Sequence, residues 1–486
     1  MRLTPTRDGN PIDAAAIASA ESLRFVDGER SLEICFEEAD SLRVRGRGPG
    51  LRAEAVIRTP VVAYPPEKGR WVVNMRPQVQ RFLFDPLHGR LTADAPWATN
   101  TCERAVLDLA PAEDGRLEAA IDAFQSTWSP TPRGGFDAAT TKVREHYERF
   151  LAAFAAAPPH LAAARELAAY VNWSCVVAPF GFLQRPAMLM SKAWMDQVWS
   201  WDHAFNAMAL ARHLPELAWD QWLVMFDHQD PFGALPDALG PMFRHYNFSK
   251  PPVHGWALRH MLAENEAFTS RGRLMEATDR LERWTRWWLE HRVWEGDELP
   301  HYLHGNDSGW DNSTMFDAGV PLVSPDLAAL LSVQCDVLAD LATRLGRGRD
   351  AATWRRESDR LAERLLAELW RGDRFIALRR ADRFEVDSPS LIPCMPIVLG
   401  ERLPPPVRTA LARRIEGFLT PHGLATERPD SPHYTPDGYW RGPAWAPSTL
   451  LAVDGLRRAG ETALAARIAR TFLQTCGRSG FAENFD

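Results

Sequence analysis

Apolar residues between positions 22 and 122 fall in short runs, at 23–26, 32–36, 42–44, 71–73 and 79–84, separated by turn formers such as Asp27-Gly28, the stretch 46–50 and Asp114-Gly115. Short runs bounded by Gly and Asp predict β-strands. A succession of them with no helical stretch between predicts an antiparallel β-sandwich over 1–130. Its charges alternate outward, and none of them has catalytic spacing.

After Pro130-Thr131-Pro132 the apolar period becomes helical. Long Ala-, Leu- and Arg-rich segments predict about eleven helices, near 138–157, 161–178, 202–213, 217–228, 254–268, 271–292, 325–346, 349–370, 404–418, 443–459 and 462–475. The first lies in a linker over 131–160. Those over 161–486 come in pairs, joined alternately by tight turns and by long loops rich in Gly, Pro, Trp and Asp. This rhythm suits a closed toroid of paired helices with the long loops gathered at one end, where function concentrates. An open solenoid would show a shorter, regular period.

Composition narrows the function classes. A net charge of -7 argues against a basic surface for nucleic acid or anionic lipid. Positions 1–23 lack the apolar middle of a signal peptide, and no later stretch reaches the roughly 18 consecutive apolar residues of a membrane helix. The six cysteines form no C-x-x-C pair, so they read as reduced, buried thiols of a cytoplasmic enzyme. The outlier is tryptophan, 19 against 7 tyrosines. Indoles are flat apolar plates with one donor; they suit sugar ring faces, and they also fill cores.

Five loops carry candidate chemistry. In Trp199-Ser200-Trp201-Asp202, Asp202 either caps the following helix or grips sugar hydroxyls beside an indole. The loop from Pro231 to Asp237 leads on to Lys250-Pro251-Pro252, whose prolines either stop one element or aim Lys250 into a cavity. In Ser308-Gly309-Trp310-Asp311, a carboxyl beside an apolar plate suits a general acid, and a surface turn is the plain alternative. The segment lacks the ligand spacing of an EF-hand. Trp440-Arg441 sets a planar cation beside an indole. Glu483 suits a base that activates water, or an ordinary terminal surface carboxylate.

Together these pieces resemble the clan of inverting α-glycosidases that comprises glycoside hydrolase family 63 and the family 37 trehalases. The matching motifs are Ser200-Trp201-Asp202, Lys250-Pro251-Pro252, Trp287-Trp288-Leu289 with Arg292, Ser308-Gly309-Trp310-Asp311, Tyr439-Trp440-Arg441-Gly442-Pro443-Ala444-Trp445 and Glu483-Asn484-Phe485, in the family's order. The resemblance implies a mainly α protein, an (α/α)6 barrel over 161–486 preceded by a β-sandwich. It also implies a closing helix after Glu-Asn-Phe, which the count of eleven leaves missing. Asp311 takes the place of the general acid and Glu483 that of the general base. Trp201, Asp202, Asp237, Lys250, Trp310, Trp440, Arg441 and Trp445 take the place of substrate-binding groups.

Phe248 and Lys250 stand where trehalases carry Arg and Gln, and His301-Tyr302-Leu303-His304 replaces their Arg-Pro-Glu segment. The expected activity is therefore an exo-acting α-glycosidase on a short glucoside or glycosylglycerate. The alternatives are a non-catalytic carbohydrate-binding barrel, or a sugar epimerase using some of His203, His245, His254, His301 and His304. No cofactor is demanded; a structural calcium ion is compatible with such loops, without a ligand set. The expected partner is a small glycoside, with neither nucleic acid nor membrane. Oligomeric state is not legible in the residues.

Overall fold

The computed structural model describes residues 1–56, 60–75, 80–130, 132–191 and 194–486. The chain divides into two compact units, Met1–Ala152 and Ala153–Asp486.

The first unit contains a five-stranded and a ten-stranded sheet, both antiparallel. In Val106–Ala110 the apolar side chains alternate, with Leu107 and Leu109 inward and Asp108 outward, as a half-buried strand requires. Leu51, Ala53, Leu107 and Leu109 of the smaller sheet share one core with Leu32, Ile34, Val44, Val73, Phe84 and Ile121 of the larger. Two sheets closed on one apolar layer make the expected sandwich. The runs at 23–26, 32–36, 42–44 and 71–73 are strands Leu23–Asp27, Arg30–Glu38, Ser41–Arg47 and Trp71–Met75. The last run is a strand over Gln80–His88, and Val79 lies outside the described residues, as does Thr131 of the linker. Arg133 pairs with Asp122 at 2.5 Å and Trp128 Nε1 donates to the same carboxylate at 2.9 Å, so the chain leaving the sandwich is tied back to it. Helix α1 (Phe136–Ala153) belongs almost wholly to this unit.

The second unit is an α/α barrel. Its helices are α2 (Ala162–Cys175), α3 (Asp202–Leu210), α4 (Pro215–Leu223), α5 (His254–Glu264), α6 (Arg271–His291), α7 (Pro325–Arg344), α8 (Gly348–Leu369), α9 (Pro405–Glu416), α10 (Ala446–Arg458) and α11 (Thr462–Ser479). A further helical segment, Ile392–Arg402, interrupted by a kink at Gly400 (φ 58°), escapes sequence reading because Pro393 and Pro396 imitate a loop. It is nonetheless buried from Ile392 to Gly400 and packs against α7 and α10, a place in the inner layer.

Among the described residues the inner layer is α3, α5, α7, the Ile392–Arg402 segment and α10, and the outer helices alternate with them along the chain. The burial patterns say why. Helix α7 is buried around almost its whole circumference, whereas α8 buries one stripe, Trp354, Ser358, Leu361, Leu365 and Leu369, and leaves its charged face to water. Alternation between layers makes all inner helices run the same way. The loops that precede them therefore meet at one end of the barrel.

Candidate active site

Three of the predicted polar residues meet at the N-terminal ends of α3 and α5. Strand Val198–Trp199 pairs with Ala238–Gly240, which pairs with Phe243–His245, and the Ser200 N–H donates to Asp237 O at 3.0 Å. This small sheet sets Asp237 beside the turn into α3. Asp202 is the first residue of α3, where the helix dipole favours its carboxylate. Lys250 is only 5% exposed. Its Nζ donates to Asn306 O at 2.8 Å and lies 3.4 Å from Asp237 Oδ1 and 3.8 Å from Asp311 Oδ1. The two adjacent prolines lead directly into α5, and the lysine they follow faces the carboxylates.

The loop carrying Asp311 is held by a group that sequence reasoning missed. Asp307 is buried and accepts from Arg292 Nη1 at 2.9 Å, from the Leu303 N–H at 2.8 Å and from the Ser249 N–H at 2.9 Å. One carboxylate thus ties the end of α6, the Asp311 loop and the Lys250 loop together. Arg292 also lies over Trp287, 4.8 Å from its ring centre, which gives the Trp-Trp-Leu-x-x-Arg motif a physical role. Gly309 has φ +75°, and a Cβ there would stand 2.7 Å from the Trp201 ring, so only glycine lets the loop lie on that indole.

Two more missed residues close the site from the opposite side. Asn312 Nδ2 donates to Gly438 O at 3.0 Å and its Oδ1 accepts from the Trp440 N–H at 2.9 Å. Between these contacts Tyr439 takes φ 62°, a left-handed conformation that costs a non-glycine residue about 1–2 kcal/mol. The strained residue delivers its hydroxyl to Asp311 Oδ2, to which it donates at 3.2 Å. Asp311 therefore has polar neighbours on two sides, the Lys250 ammonium and the Tyr439 hydroxyl, as well as the apolar plate read from Trp310.

The indoles differ from expectation. Trp201, Trp310, Trp440 and Trp445 are 5, 2, 2 and 6% exposed. Trp440 stacks on Trp445 at 4.1 Å, and lies 4.8 Å from Trp310 and 6.0 Å from Trp201. They bury one another and form a floor beneath the polar groups rather than separate open plates. Arg441 differs too. Its Nη1 donates to Asp317 Oδ2 at 3.1 Å and its Nε to Asn312 O at 2.6 Å, so it braces the Asp311 loop. Trp284 and Trp288 are fully buried core of α6.

Glu483 is exposed and is seated by its neighbours. Asn484–Phe485 pairs with Ala444–Trp445, and the Phe485 ring meets Phe472 of α11 edge-on at 5.6 Å. Gly480, at φ 77°, makes the turn out of α11 that permits this. Glu483 and Asp311, far apart in sequence, act on the same two groups. Loss of solvent, together with these two negative charges, pushes the Tyr439 phenol well above its usual value. The Asp202 carboxyl is raised to about 6, first by loss of solvent and then by Asp311 and Glu483, against the pull of Lys250. Asp237 is likewise raised by burial, opposed by Lys250.

For Asp202 the direction fixes a stability prediction. Its proton is held more tightly folded, at about 6, than at the ordinary 3.8, so ionisation costs stability as pH rises through that interval. Asp202→Asn is expected to raise the urea midpoint at pH 7. Below pH about 3, where the wild-type carboxyl is neutral in both states, the two proteins should melt together. An equal difference at both pH values would contradict the assignment.

The histidines do not converge on this site. His203 and His254 are fully buried against each other and against aromatic rings, and burial holds both imidazoles below their usual value. His301 is buried against Trp294. His245 and His304 are exposed, His304 stacked on Phe248. Among the described residues no group of three or more His, Cys, Asp or Glu is arranged to hold a metal ion. Nor is any helix among them long and apolar enough to cross a membrane.

The barrel architecture of the second unit is shared with solved glycosidases. The chain overlays on the family 63 mannosylglycerate hydrolase from Thermus thermophilus, solved with Tris and D-glycerate, with TM-score 0.57, 20% identity and coverage of 68% of this chain and 94% of that one. It overlays on the neutral trehalase of Saccharomyces cerevisiae with TM-score 0.52, 14% identity and coverage of 62% and 70%. In sequence it is 25% identical over 384 residues to the mannosylglycerate hydrolase of Rubrobacter radiotolerans, covering 59% of this chain and 85% of that protein. Residues 195–486 match the mannosylglycerate hydrolase MGH1-like glycoside hydrolase domain, and the chain belongs to that family. It is a glycoside hydrolase, and its fold is that of the solved family 63 enzymes.

Proposed function

We propose that the chain is an exo-acting hydrolase of a short α-glycoside, with Asp311 as general acid and Glu483 as general base. The observation that carries this reading is that Asp311 accepts from the Tyr439 hydroxyl at 3.2 Å and lies 3.8 Å from Lys250, while the segment just after Tyr439, Ala444–Trp445, pairs with Asn484–Phe485 directly beside Glu483. On this reading Asp311 protonates the glycosidic oxygen while Glu483 deprotonates a water attacking the opposite face. An inverting pair needs room for that water, about 6.5–9.5 Å between carboxyls. Asp202, Asp237 and Lys250 offer two acceptors and a donor to sugar hydroxyls, and the indole floor supports the ring. Arg441 serves as a brace of the loop.

The curated relative and the solved structure named above are mannosylglycerate hydrolases, and this supports a glycosylglycerate substrate ahead of a plain α-glucoside. The test is to incubate the protein with mannosylglycerate, glucosylglycerate, trehalose and aryl α-glucosides, and to follow the first product by proton NMR. The expected result is turnover of a glycosylglycerate, with the β-anomer of the free sugar appearing before mutarotation. Release of the α-anomer, formation of an epimer, or binding without turnover would each overturn it.

A further inference from the structure

A second polar cavity, of about 400 Å³, lies at the same end of the barrel between the C-terminal ends of α8 and α9, and it is lined by Arg374, Arg414, Arg428, Asp387, Ser388 and Ser431, among others. Two of its arginines have carboxylate partners. Arg374 Nε donates to Asp387 Oδ2 at 2.8 Å, and Arg428 donates to Asp430 at 2.8 and 2.6 Å. Arg414 does not. It is half-buried, its buried Nε has no hydrogen-bond partner, and among the described residues no carboxylate approaches within ion-pair distance. Its neighbour below is the buried thiol of Cys394, a weak acceptor. A guanidinium partly removed from water without a counter-charge is costly. Three guanidiniums around one hollow offer the forked donors that match tetrahedral oxyanions.

The back wall of this cavity is also the back wall of the Asp311 loop. Ser388 Oγ lies 3.0 Å from Thr314 Oγ1, which donates to Glu427 Oε2 at 2.7 Å. Ser431 donates to Glu427 Oε1 at 2.7 Å, and Ser313 donates to Ser390 Oγ at 2.9 Å. Glu427 is completely buried and is held by these hydroxyls alone among the described side chains. Ser313 and Thr314 follow Asp311 and Asn312 directly in the chain. Whatever fills the cavity therefore presses on a hydroxyl network one step from that loop.

We propose that this cavity binds a phosphate-type dianion, inorganic phosphate or the phosphate monoester of a small sugar, through Arg414 with Arg374 and Arg428, and that the bound ion stiffens the loop carrying Asp311. The binding is independent of the substrate reading above; the consequence for turnover rests on it.

The test uses the full chain in thermal melts with increasing inorganic phosphate or glucose 6-phosphate, each against sodium chloride of equal ionic strength. The expected result is a saturating rise in Tm of about 2 °C or more, absent in Arg414→Leu and reduced in Arg428→Ala. The second variant alters only an exposed pair and keeps the test alive if the first does not fold. A larger rise with the ester assigns the sugar phosphate as occupant, and an equal rise assigns the free ion. Hydrogen exchange of residues 305–316 should slow when the ion is bound. No rise beyond that of sodium chloride, or the same rise in Arg414→Leu, overturns the site. A rise with unchanged exchange over 305–316 overturns the stiffening.

Discussion

Asp311→Asn is expected to lower kcat on a glycosylglycerate by about 10²–10⁴, the range for loss of general acid catalysis, and to leave far more activity on an aryl glycoside. The asymmetry follows from the leaving group. A nitrophenolate departs without being protonated, whereas a glycerate alkoxide does not. Asparagine keeps the volume and one acceptor for the Tyr439 hydroxyl, which now reaches Asp311 at 3.2 Å, so the loop should stay in place. Glu483→Gln should lose activity on both kinds of substrate by a similar factor, because water must be deprotonated whatever leaves. Steady-state kinetics of the two variants on both substrates reads the difference. If Asp311→Asn were equally impaired on both, or if Glu483→Gln spared either, the two roles would be wrongly divided.

Asp307→Ala is expected to be the most destabilising single change in the site, at about 3–5 kcal/mol, a large share of the roughly 5–15 kcal/mol that holds a typical protein folded. The substitution strands the Arg292 guanidinium and the N–H groups of Leu303 and Ser249, which now donate at 2.9, 2.8 and 2.9 Å. None of these can turn to water where Asp307 sits, because the residue is buried. The loss should appear in urea unfolding. It should be accompanied by loss of turnover in the folded fraction, since the loops bearing Asp311 and Lys250 lose their shared anchor. Asp307→Asn retains an acceptor and should fall between. A cost below about 1 kcal/mol would mean that the ion pair is replaceable by solvent.

Much of this fold was legible because each element carries its own periodicity. Leu107 and Leu109 alternate as a half-buried strand demands, and the α8 stripe from Trp354 to Leu369 repeats as a one-faced helix demands. The segment Ile392–Arg402 was not legible, since its prolines speak for a loop while only packing between α7 and α10 makes it a buried helical segment, kinked at Gly400. In the candidate site, Asp202, Lys250, Asp311 and Glu483 each lie within a motif legible in the sequence. Asp307, Asn312 and Tyr439 were passed over because their partners, Arg292, Gly438 and Asp311, lie elsewhere in the chain. One signal was available for Asp307: a lone carboxylate in the same loop as Asp311, with an unassigned arginine closing the preceding helix.

By itself the sequence determined the sandwich-then-barrel order, the helical pairing and the family resemblance, because these depend on local period and on motifs that each lie within a few residues. Only the tertiary structure decided that four indoles bury one another as a floor, that Arg441 spends its donors on Asp317 and Asn312, that Lys250 stands among carboxylates, and that Glu483 is seated by the pairing of Asn484–Phe485 with Ala444–Trp445. The physical reason is one of range. A side chain's neighbours in an α/α barrel come from the loops before different inner helices, and the energy of a buried charge or a stacked ring is set by those neighbours, not by the residues beside it in the chain.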